Sequence, residues 1–482
     1  MAQPAEAIPA PFPEPLPEPN QASAVQEVRD RADTVLTRRN HGRPARAVGR
    51  RELRGPHGRV AVVDGCRTPF IKSGTSFRDM DVIDLAGVAT AELVTRNGLD
   101  EREIELAIYG TVLPALYGPN LGREVIFRCS LPEWIPGSGV SLACASSNRA
   151  ITSAAEAILV GQADVVLAGG AEALSKVPIR FSDAAAKRLM ELQKAKSLPQ
   201  KAATLAKLRP KDLVPVPPAI AEYTTGMTMG QAAEKMAKEN DVSRRAQDEI
   251  ALMSHQRASA ATVEGRFAEQ VVPTFPPPTY GEAVLVDNGV RHDAAFDKLA
   301  ALPPVFDKRY GSITAGNASP ITDGGSAVLL MSEEKAKALG YVPLGYIRSW
   351  AYASLDPGTQ LLQGPAYAAP EALDAAGVTL ADLDLIEMHE AFAAQVLSNL
   401  KAFNSKKFAA EELGRSAALG AVDFDKLNVN GGSISIGHPF GATGARVTMQ
   451  LLFELRRRGG NLGLMTVCAA GGVGFAMVVE RE

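Results

Sequence analysis

The chain has 482 residues, of which 46% are hydrophobic and 22% charged, and its formal net charge is -3. This composition is typical of a globular protein of two or three domains, and the near-neutral balance does not point to nucleic acid. The four cysteines form no close CxxC pair, which argues against a zinc knuckle or a disulfide framework and favours a reducing compartment, the cytoplasm. No apolar run in the sequence is long enough to span a membrane.

Residues 1–57 are expected to form a disordered extension. Prolines alternate with small and acidic residues from Pro4 to Pro19, which favours extended chain, and an arginine-rich stretch follows between Arg38 and Arg54. The arginines resemble those of a targeting peptide, but transit peptides are poor in the acidic residues that precede this stretch. We interpret the segment as an extension that makes at most a weak contact with an anionic surface or a partner.

Strand and helix patterns alternate through the rest of the chain, which predicts an α/β sheet with both faces covered. Strands are predicted at residues 59–64, 107–113, 163–170, 327–331, 383–388 and 463–467. Helices are predicted at residues 81–97, 146–160, 229–239, 243–264, 389–400 and 442–457, and a further helix is predicted to open at Asn120.

Cys144 lies where a short apolar run ends and the helix predicted at 146–160 begins. The unpaired N–H groups and the dipole at a helix N-terminus favour the thiolate, the nucleophilic form of cysteine. A small thiol that fills core space is an equally good interpretation of the position alone. Position therefore leaves both interpretations open.

Residues 175–223 differ in character from their surroundings. Lysines and arginines alternate with leucines at helical spacing, and a proline cluster at residues 215–218 ends the pattern. One interpretation is a solvated helical lid on the body of the protein. The other is an element that docks on a membrane surface or a partner protein.

Two parts of the chain form a faint internal repeat. Residues 146–170 and 442–472 each contain a helix rich in small residues, a short turn, an apolar strand and a glycine turn, which suggests two similar halves packed together. His389, His438 and Cys468 lie at junctions among glycines and small residues, where a backbone can approach a ligand closely. A single histidine in such a turn is usually structural. Two histidines and two cysteines at four junctions predict one site built from the loop ends of both halves.

Five motifs together resemble those of the thiolase family. They are Cys144-Ala145-Ser146-Ser147, Gly316-Asn317-Ala318-Ser319, His389-Glu390-Ala391-Phe392, Gly437-His438-Pro439 and Cys468-Ala469-Ala470-Gly471-Gly472. The similarity runs from about Arg59 to the C-terminus, with the same order and spacing. The chain most resembles the β-subunit type of the trifunctional fatty-acid oxidation enzyme. The reasons are His389 where many thiolases have asparagine, Ala470 where many have glycine, and the basic segment.

The resemblance implies a thiolase-like α/β fold, in which two similar βαβαβαββ halves pack as α-β-α-β-α layers with an inserted loop domain. The N-terminal half would comprise residues 58–175, completed by residues 310–335. The loop domain, residues 176–309, would bind CoA and carry any membrane or partner docking. The C-terminal half would comprise residues 336–482.

The resemblance also implies 3-ketoacyl-CoA thiolase activity, an acetyl-CoA C-acyltransferase activity of fatty-acid β-oxidation. Cys144 would attack the C3 carbonyl and become acylated, and His438 would take the thiol proton. Cys468 would protonate the acetyl-CoA enolate and then activate CoA. One oxyanion would be stabilised at His438 with a water held by His389, and the other by the backbone N–H groups of Cys144 and Ala470.

Two further site residues follow from the resemblance. Ser319 would contact the substrate in the pantetheine channel, and Glu390 would support the site from behind. CoA would be a substrate, and no cofactor or metal is implied. The expected partners are acyl-CoA and CoA, at least one further copy of this chain, and a hydratase/dehydrogenase α subunit or a peripheral membrane contact.

Three alternatives remain at this stage. A β-ketoacyl synthase shares the fold but has no need of a second thiol at Cys468. A non-catalytic lipid-binding or scaffold subunit would keep the fold, but all four reactive positions are intact here. The same residues could also run the biosynthetic condensation of two acetyl-CoA molecules, because the reaction is reversible.

Overall fold

The computed structural model describes residues 53–216 and 221–482. The predicted extension, residues 1–57, therefore lies outside the described residues except at its end. Part of the proline cluster at 215–218 lies outside them as well.

The ten strands are β1 (Val60–Arg67), β2 (Ile71–Lys72), β3 (Leu106–Gly110), β4 (Gly137–Val140), β5 (Val165–Glu172), β6 (Thr322–Ser332), β7 (Gly345–Ser354), β8 (Leu385–Met388), β9 (Leu462–Ala469) and β10 (Val473–Glu480) within the described residues. The α-helices there are α1 (Val82–Arg96), α2 (Leu121–Arg128), α3 (Ser146–Leu159), α4 (Asp183–Lys194), α5 (Leu198–Leu205), α6 (Met229–Glu239), α7 (Arg244–Val263), α8 (Phe296–Ala300), α9 (Glu333–Ala338), α10 (Gly364–Ala376), α11 (Ala393–Phe403), α12 (Lys406–Leu413), α13 (Ser433–Ile436) and α14 (Thr443–Arg458).

The strand order confirms the prediction of two similar halves. The order across the sheet is β4-β3-β5-β6-β1-β7-β10-β9-β8, with β2 attached to β6. In the first half, β3 and β5 are parallel and β6 and β1 continue antiparallel. The second half repeats this pattern with β8, β9, β10 and β7. The halves join through two residue pairs between β1 and β7.

Helices cover both faces of each half, in the layered arrangement that the sequence predicts. Helix α3 packs on β3 and β5, and α14 packs on α3 and on strands of both halves, so these two helices form the middle layer. Helix α1 covers the outer face of the first half, and α10 covers β7 and β10. Side chains along β1 point alternately to the two faces of the sheet. Val60 and Val62 pack against the middle layer, and Ala61 and Val63 pack against α1.

The segment between β5 and β6 contains α4 to α8. Helices α6 and α7 pack against α11, and α7 also packs against α13, so this part of the insertion lies beside the second half. Helices α4 and α5 pack against each other, and Ala185 is their only buried residue. No helix in the described ranges is both long and apolar enough to cross a membrane.

One predicted boundary is shifted. The sequence suggests that His389-Glu390-Ala391-Phe392 opens a helix, but these residues form the connection after β8, and helix α11 begins at Ala393. Ala318 and Phe392 form an antiparallel bridge. The connection therefore runs beside the 314–319 turn instead of winding into the helix.

Candidate active site

Cys144 lies in a sharp turn between β4 and α3. Ala143 has a φ of 47°, a left-handed conformation that costs a residue with a Cβ about 1–2 kcal/mol. Ser146 holds this turn closed, because its Oγ accepts the Leu142 N–H at 2.8 Å and donates to the Ala143 carbonyl at 2.7 Å. The turn leaves Cys144 partly exposed just ahead of the helix, as the sequence predicts.

His438 lies directly beside this sulfur. Its Nε2 is 3.1 Å from the Cys144 Sγ, and its Nδ1 is 2.6 Å from the Thr443 Oγ1. The His438 backbone N–H donates to the Thr322 Oγ1 at 2.8 Å, which fastens the loop to the start of β6. Gly437 precedes the histidine with a φ of 121°, a conformation that glycine adopts without strain.

His389 lies next to His438, with ring centroids 4.2 Å apart. Its Nδ1 is 2.9 Å from the Ser433 Oγ, and its Nε2 is buried without a hydrogen-bond partner among the described residues. Its backbone N–H donates to the Thr466 carbonyl of β9 at 2.8 Å. One donor atom each of Cys144, His389 and His438 lies within 4.8 Å of the other two. Zinc prefers the same donor types, so this cluster alone does not distinguish a metal centre from a nucleophile with its base.

Cys468 and Ala470 follow along β9 and the turn after it. Cys468 is fully buried in a cluster with Ile313 and Phe392. Burial raises the pKa of Cys468 well above its ordinary value, and the charge that Cys144 would acquire on ionisation raises it further. The backbone N–H of Ala470 interacts with the Cys144 sulfur and opposes the rise in the pKa of that thiol. Cys144, His389 and His438 therefore form one cluster, and Cys468 is close enough for the charges of the two thiols to interact.

The protonation states differ from the expectation based on the helix N-terminus. Burial raises the pKa of Cys144 to about 12, and the N–H groups of Ala470 and of Cys144 itself lower it only in part. Burial, with the nearby Arg446 charge, lowers the pKa of His438 to about 3. Desolvation therefore outweighs the contribution of the helix N-terminus, which by itself favours the thiolate. The resting pair is a neutral thiol beside a neutral imidazole.

Glu390 and Ser319 form hydrogen bonds that hold together the segments next to the site. The Glu390 carboxylate is buried and accepts hydrogen bonds from the Ser254 Oγ at 2.7 Å, the Asn428 Nδ2 at 2.7 Å and the Ile434 backbone at 3.2 Å. It thereby ties α7 to the loop before His438. The Ser319 backbone N–H donates to the Ala391 carbonyl at 2.9 Å, which places this serine beside the connection after His389.

The other two cysteines lie in packing positions. The Cys66 Sγ contacts the Ala89 carbonyl at 3.0 Å, and the Cys129 Sγ contacts the Gly87 carbonyl at 3.4 Å. Burial raises the pKa of each thiol to about 12. Neither has a histidine among its described hydrogen-bond partners.

Sequence reasoning missed Glu172 at the end of β5. Its buried carboxylate accepts the backbone N–H groups of Val112, Leu113 and Gly441 at 2.8–3.0 Å. Burial raises the pKa of Glu172 to about 7, although these hydrogen bonds oppose the shift. Glu172 thereby fixes the loop after His438 to the end of β3. Its place directly after a buried strand and a glycine pair was the available signal.

Sequence reasoning also missed Ser433, Thr443 and Arg446. All three lie in the glycine-rich stretch that contains His438. The hydroxyl residues Ser433 and Thr443, one on each side of the candidate base, were the available signal. The Arg446 Nη2 donates to the Ser433 Oγ at 2.7 Å. The three residues therefore contact the two histidines or the groups that hold them.

Comparison with known proteins identifies the family. The model of the N-terminal thiolase domain matches residues 60–334, and that of the C-terminal thiolase domain matches residues 341–481. The chain belongs to the thiolase family. The members of this family are acyltransferases, so the cysteine–histidine cluster is that of an acyltransferase.

Individual relatives are similar to this thiolase over most of their own length. The 3-ketoacyl-CoA thiolase of Yersinia pestis is 49% identical over 424 residues, which are 88% of this chain and 97% of that protein. Human mitochondrial 3-ketoacyl-CoA thiolase, solved in complex with CoA, superposes with a TM-score of 0.75 at 30% identity and covers 90% of this chain and all of its own. The acetyl-CoA acetyltransferase of Bacillus anthracis superposes with a TM-score of 0.74 at 33% identity, over 88% of this chain and 98% of its own.

We predict that the acylation of Cys144 depends little on pH. Because the thiol and the imidazole are both neutral, the rate should change less than about threefold between about pH 6 and pH 9. The measurement is single-turnover acylation without free CoA, followed by rapid quenching and mass spectrometry.

The matched control is Glu172→Gln, which removes a carboxyl whose pKa of about 7 falls inside that pH range. A rate that rises tenfold with each pH unit in both proteins would mean that a pre-formed thiolate attacks. That result would contradict a neutral resting pair.

Proposed function

We propose that this thiolase is a 3-ketoacyl-CoA thiolase of fatty-acid β-oxidation, which cleaves 3-ketoacyl-CoA with CoA to give acetyl-CoA and a shortened acyl-CoA. The observation that carries this proposal is the 3.1 Å contact between the Cys144 Sγ and the His438 Nε2, in a chain 49% identical to a 3-ketoacyl-CoA thiolase. A thiol beside an imidazole is the arrangement that acyl transfer through a cysteine requires.

In the first half-reaction, Cys144 attacks the C3 carbonyl while the His438 Nε2 takes the thiol proton. The substrate oxygen becomes negative and is stabilised by the imidazolium of His438, with a water held by His389. Breakage of the C2–C3 bond then leaves the acyl group on Cys144 and an enolate of acetyl-CoA. Cys468 protonates that enolate, and acetyl-CoA leaves.

In the second half-reaction, Cys468 in its thiolate form takes the proton of the incoming CoA thiol. The CoA sulfur attacks the thioester on Cys144, and the oxyanion is stabilised by the backbone N–H groups of Cys144 and Ala470. The N–H of Ala470 already interacts with the Cys144 sulfur, which supports this assignment. Expulsion of Cys144 releases the shortened acyl-CoA, and the sulfur recovers a proton from His438.

We assign substrate binding to the surface beside the 314–319 turn. Ser319 borders the connection that contains His389, so a pantetheine chain on this surface would place its thioester near the two histidines. The relative solved with CoA supports CoA as the second substrate. The steps above use side chains, backbone N–H groups, one water and CoA.

The degradative direction is supported by the 49% identical 3-ketoacyl-CoA thiolase, whereas the fold also suits an acetyl-CoA acetyltransferase. The longer acyl chain follows from the resemblance to the trifunctional type. We therefore predict that mixing the protein with a long-chain 3-ketoacyl-CoA, without CoA, gives an acyl adduct on Cys144 and free acetyl-CoA. Intact and peptide mass spectra measure both. Cys144→Ser should give no such thioester, and Cys66→Ser is the matched control that should retain it.

Two outcomes would change the assignment. A strong preference for a four-carbon substrate over the long-chain one would favour the biosynthetic enzyme. Folded protein that forms no adduct with any chain length would favour a non-catalytic lipid-binding subunit.

We also propose that the chain forms a homodimer or a larger oligomer. Strand β4 is an edge strand that pairs only with β3 among the described strands. Large apolar side chains are exposed in the segment between β3 and β4, among them Leu116, Tyr117, Phe127 and Trp134. An unpaired strand edge next to exposed apolar groups is a common site of self-association.

We further propose that helices α4 and α5 dock on an anionic membrane surface. Met190 and Leu198 are 56% and 81% exposed, and Lys194, Lys196 and Lys201 are exposed as well. Exposed apolar groups beside lysines fit the boundary of an anionic bilayer, where each basic residue contributes about 1 kcal/mol. A hydratase/dehydrogenase subunit is the alternative occupant.

Charge reversal tests this proposal. We predict that the triple variant Lys194→Glu, Lys196→Glu, Lys201→Glu loses most of its co-sedimentation with phosphatidylserine vesicles and retains thiolysis of soluble substrate. The matched control reverses three exposed lysines elsewhere, Lys298, Lys406 and Lys407. Equal vesicle binding by wild type and triple variant would contradict the proposal, as would binding by wild type only to a partner subunit.

A further inference from the structure

The two site histidines are buried and neutral, so each carries a single ring proton. Burial is the main cause that lowers the pKa of His389 and of His438. Which nitrogen holds the proton decides what each ring can do, because a bare nitrogen accepts a proton and an N–H donates a hydrogen bond. The hydrogen bonds to the other nitrogen of each ring determine that choice.

Thr443 determines the tautomer of His438. Its hydroxyl has one proton, which it donates to the Pro439 carbonyl at 2.9 Å. The contact of 2.6 Å between the Thr443 Oγ1 and the His438 Nδ1 must then use a ring proton on Nδ1. The Nε2 is left as a bare acceptor, 3.1 Å from the Cys144 Sγ. This is the state that a base requires.

Ser433 determines the opposite tautomer for His389. The guanidinium of Arg446 can only donate, and it does so to the Ser433 Oγ at 2.7 Å. The other described partner of that oxygen is the His389 Nδ1 at 2.9 Å, so the serine proton goes to Nδ1. The ring proton of His389 is therefore on Nε2, the buried nitrogen without a partner among the described residues.

We propose that Arg446 and Ser433 are positioning residues that fix His389 as an Nε2–H donor beside a His438 fixed as an Nε2 acceptor. Two adjacent imidazoles thus hold opposite tautomers, one as base and the other as a ready donor for the first oxyanion. This inference rests on the proposed function for its catalytic consequence and on hydrogen-bond geometry for the tautomers.

The opposite assignment would impair the reaction. When His438 takes the thiol proton, its Nε2 becomes an N–H that should point at the substrate oxygen. A bare Nε2 on His389, whose ring centroid is 4.2 Å from that of His438, would compete for this N–H. With a proton on the His389 Nε2, both rings can donate toward the oxyanion or toward a water that bridges to it.

The direct test is nitrogen-15 NMR of the full chain with labelled histidine. Wild type should show one site histidine protonated on Nδ1 and the other on Nε2, with His438→Asn and His389→Asn spectra to assign them. A wild-type His389 protonated on Nδ1 would overturn the proposal. This readout does not depend on turnover, so it stands apart from any failure to form an acyl adduct.

The kinetic test compares Ser433→Ala with Ser433→Thr. The alanine variant should shift the His389 signal away from the Nε2–H form and lower kcat by about 10²-fold, the effect of losing one oxyanion donor, with little change in KM. The threonine variant keeps the hydroxyl and should recover most of both. Arg446→Met should also disturb the His389 tautomer.

Ser349→Ala is the control for the loss of a buried hydroxyl, because its Oγ donates to the Ala372 carbonyl in the outer layer of the second half. Thermal unfolding of each variant separates misfolding from a tautomer effect. Folded Ser433→Ala with the wild-type His389 signal and the wild-type kcat would overturn the positioning role.

Discussion

The close approach of α3 and α14 is the constraint on which the site depends. Cys144 precedes the first helix and His438 precedes the second, so the distance between these helices sets the distance between sulfur and ring. Gly444 permits the approach, because a Cβ there would lie 2.2 Å from the Asn148 Oδ1. The Ala445 N–H also donates to the Ser147 Oγ at 2.9 Å, which joins the first turns of both helices. The site is therefore built into the middle layer of the fold, where the two halves meet.

The same burial that fixes the geometry determines the chemistry. A helix N-terminus near the surface would favour a thiolate, but here desolvation raises the pKa of Cys144 to about 12. In the proposed mechanism, proton transfer to His438 then accompanies attack on the substrate. A neutral pair also suits a reaction that builds negative charge on the substrate oxygen, because no thiolate charge opposes it beforehand. In that mechanism, the positions of the two side chains replace prior ionisation of the thiol as the source of reactivity.

Sequence reasoning found most elements because their patterns are local. In the small-residue helices and buried strands, the apolar residues recur at regular spacing, and five motifs contain the site residues. Strand β7 was missed because Arg348 and Ser349 interrupt its apolar pattern, and α10 was missed because Pro370 lies inside it. The roles of Glu172 and Arg446 depend on contacts between distant segments, such as Glu172 with Gly441, and no local pattern reports these. The direction of the pKa shift at Cys144 could not be predicted either, because burial depends on the packed fold.

The buried charge of Arg446 is hard to explain by stability alone. Burial lowers its pKa to about 10, its nearest carboxylate is that of Glu387 at 3.9 Å, and its Nε has no hydrogen-bond partner among the described residues. A buried cation with an imperfect partner usually destabilises a fold relative to apolar residues of similar size. Its strongest contact is the hydrogen bond to Ser433, which in turn contacts His389. Because a guanidinium can only donate, the Ser433 proton has to go to another acceptor, and the His389 Nδ1 is the one within reach among the described residues. The cation is therefore best explained by the ring that it orients.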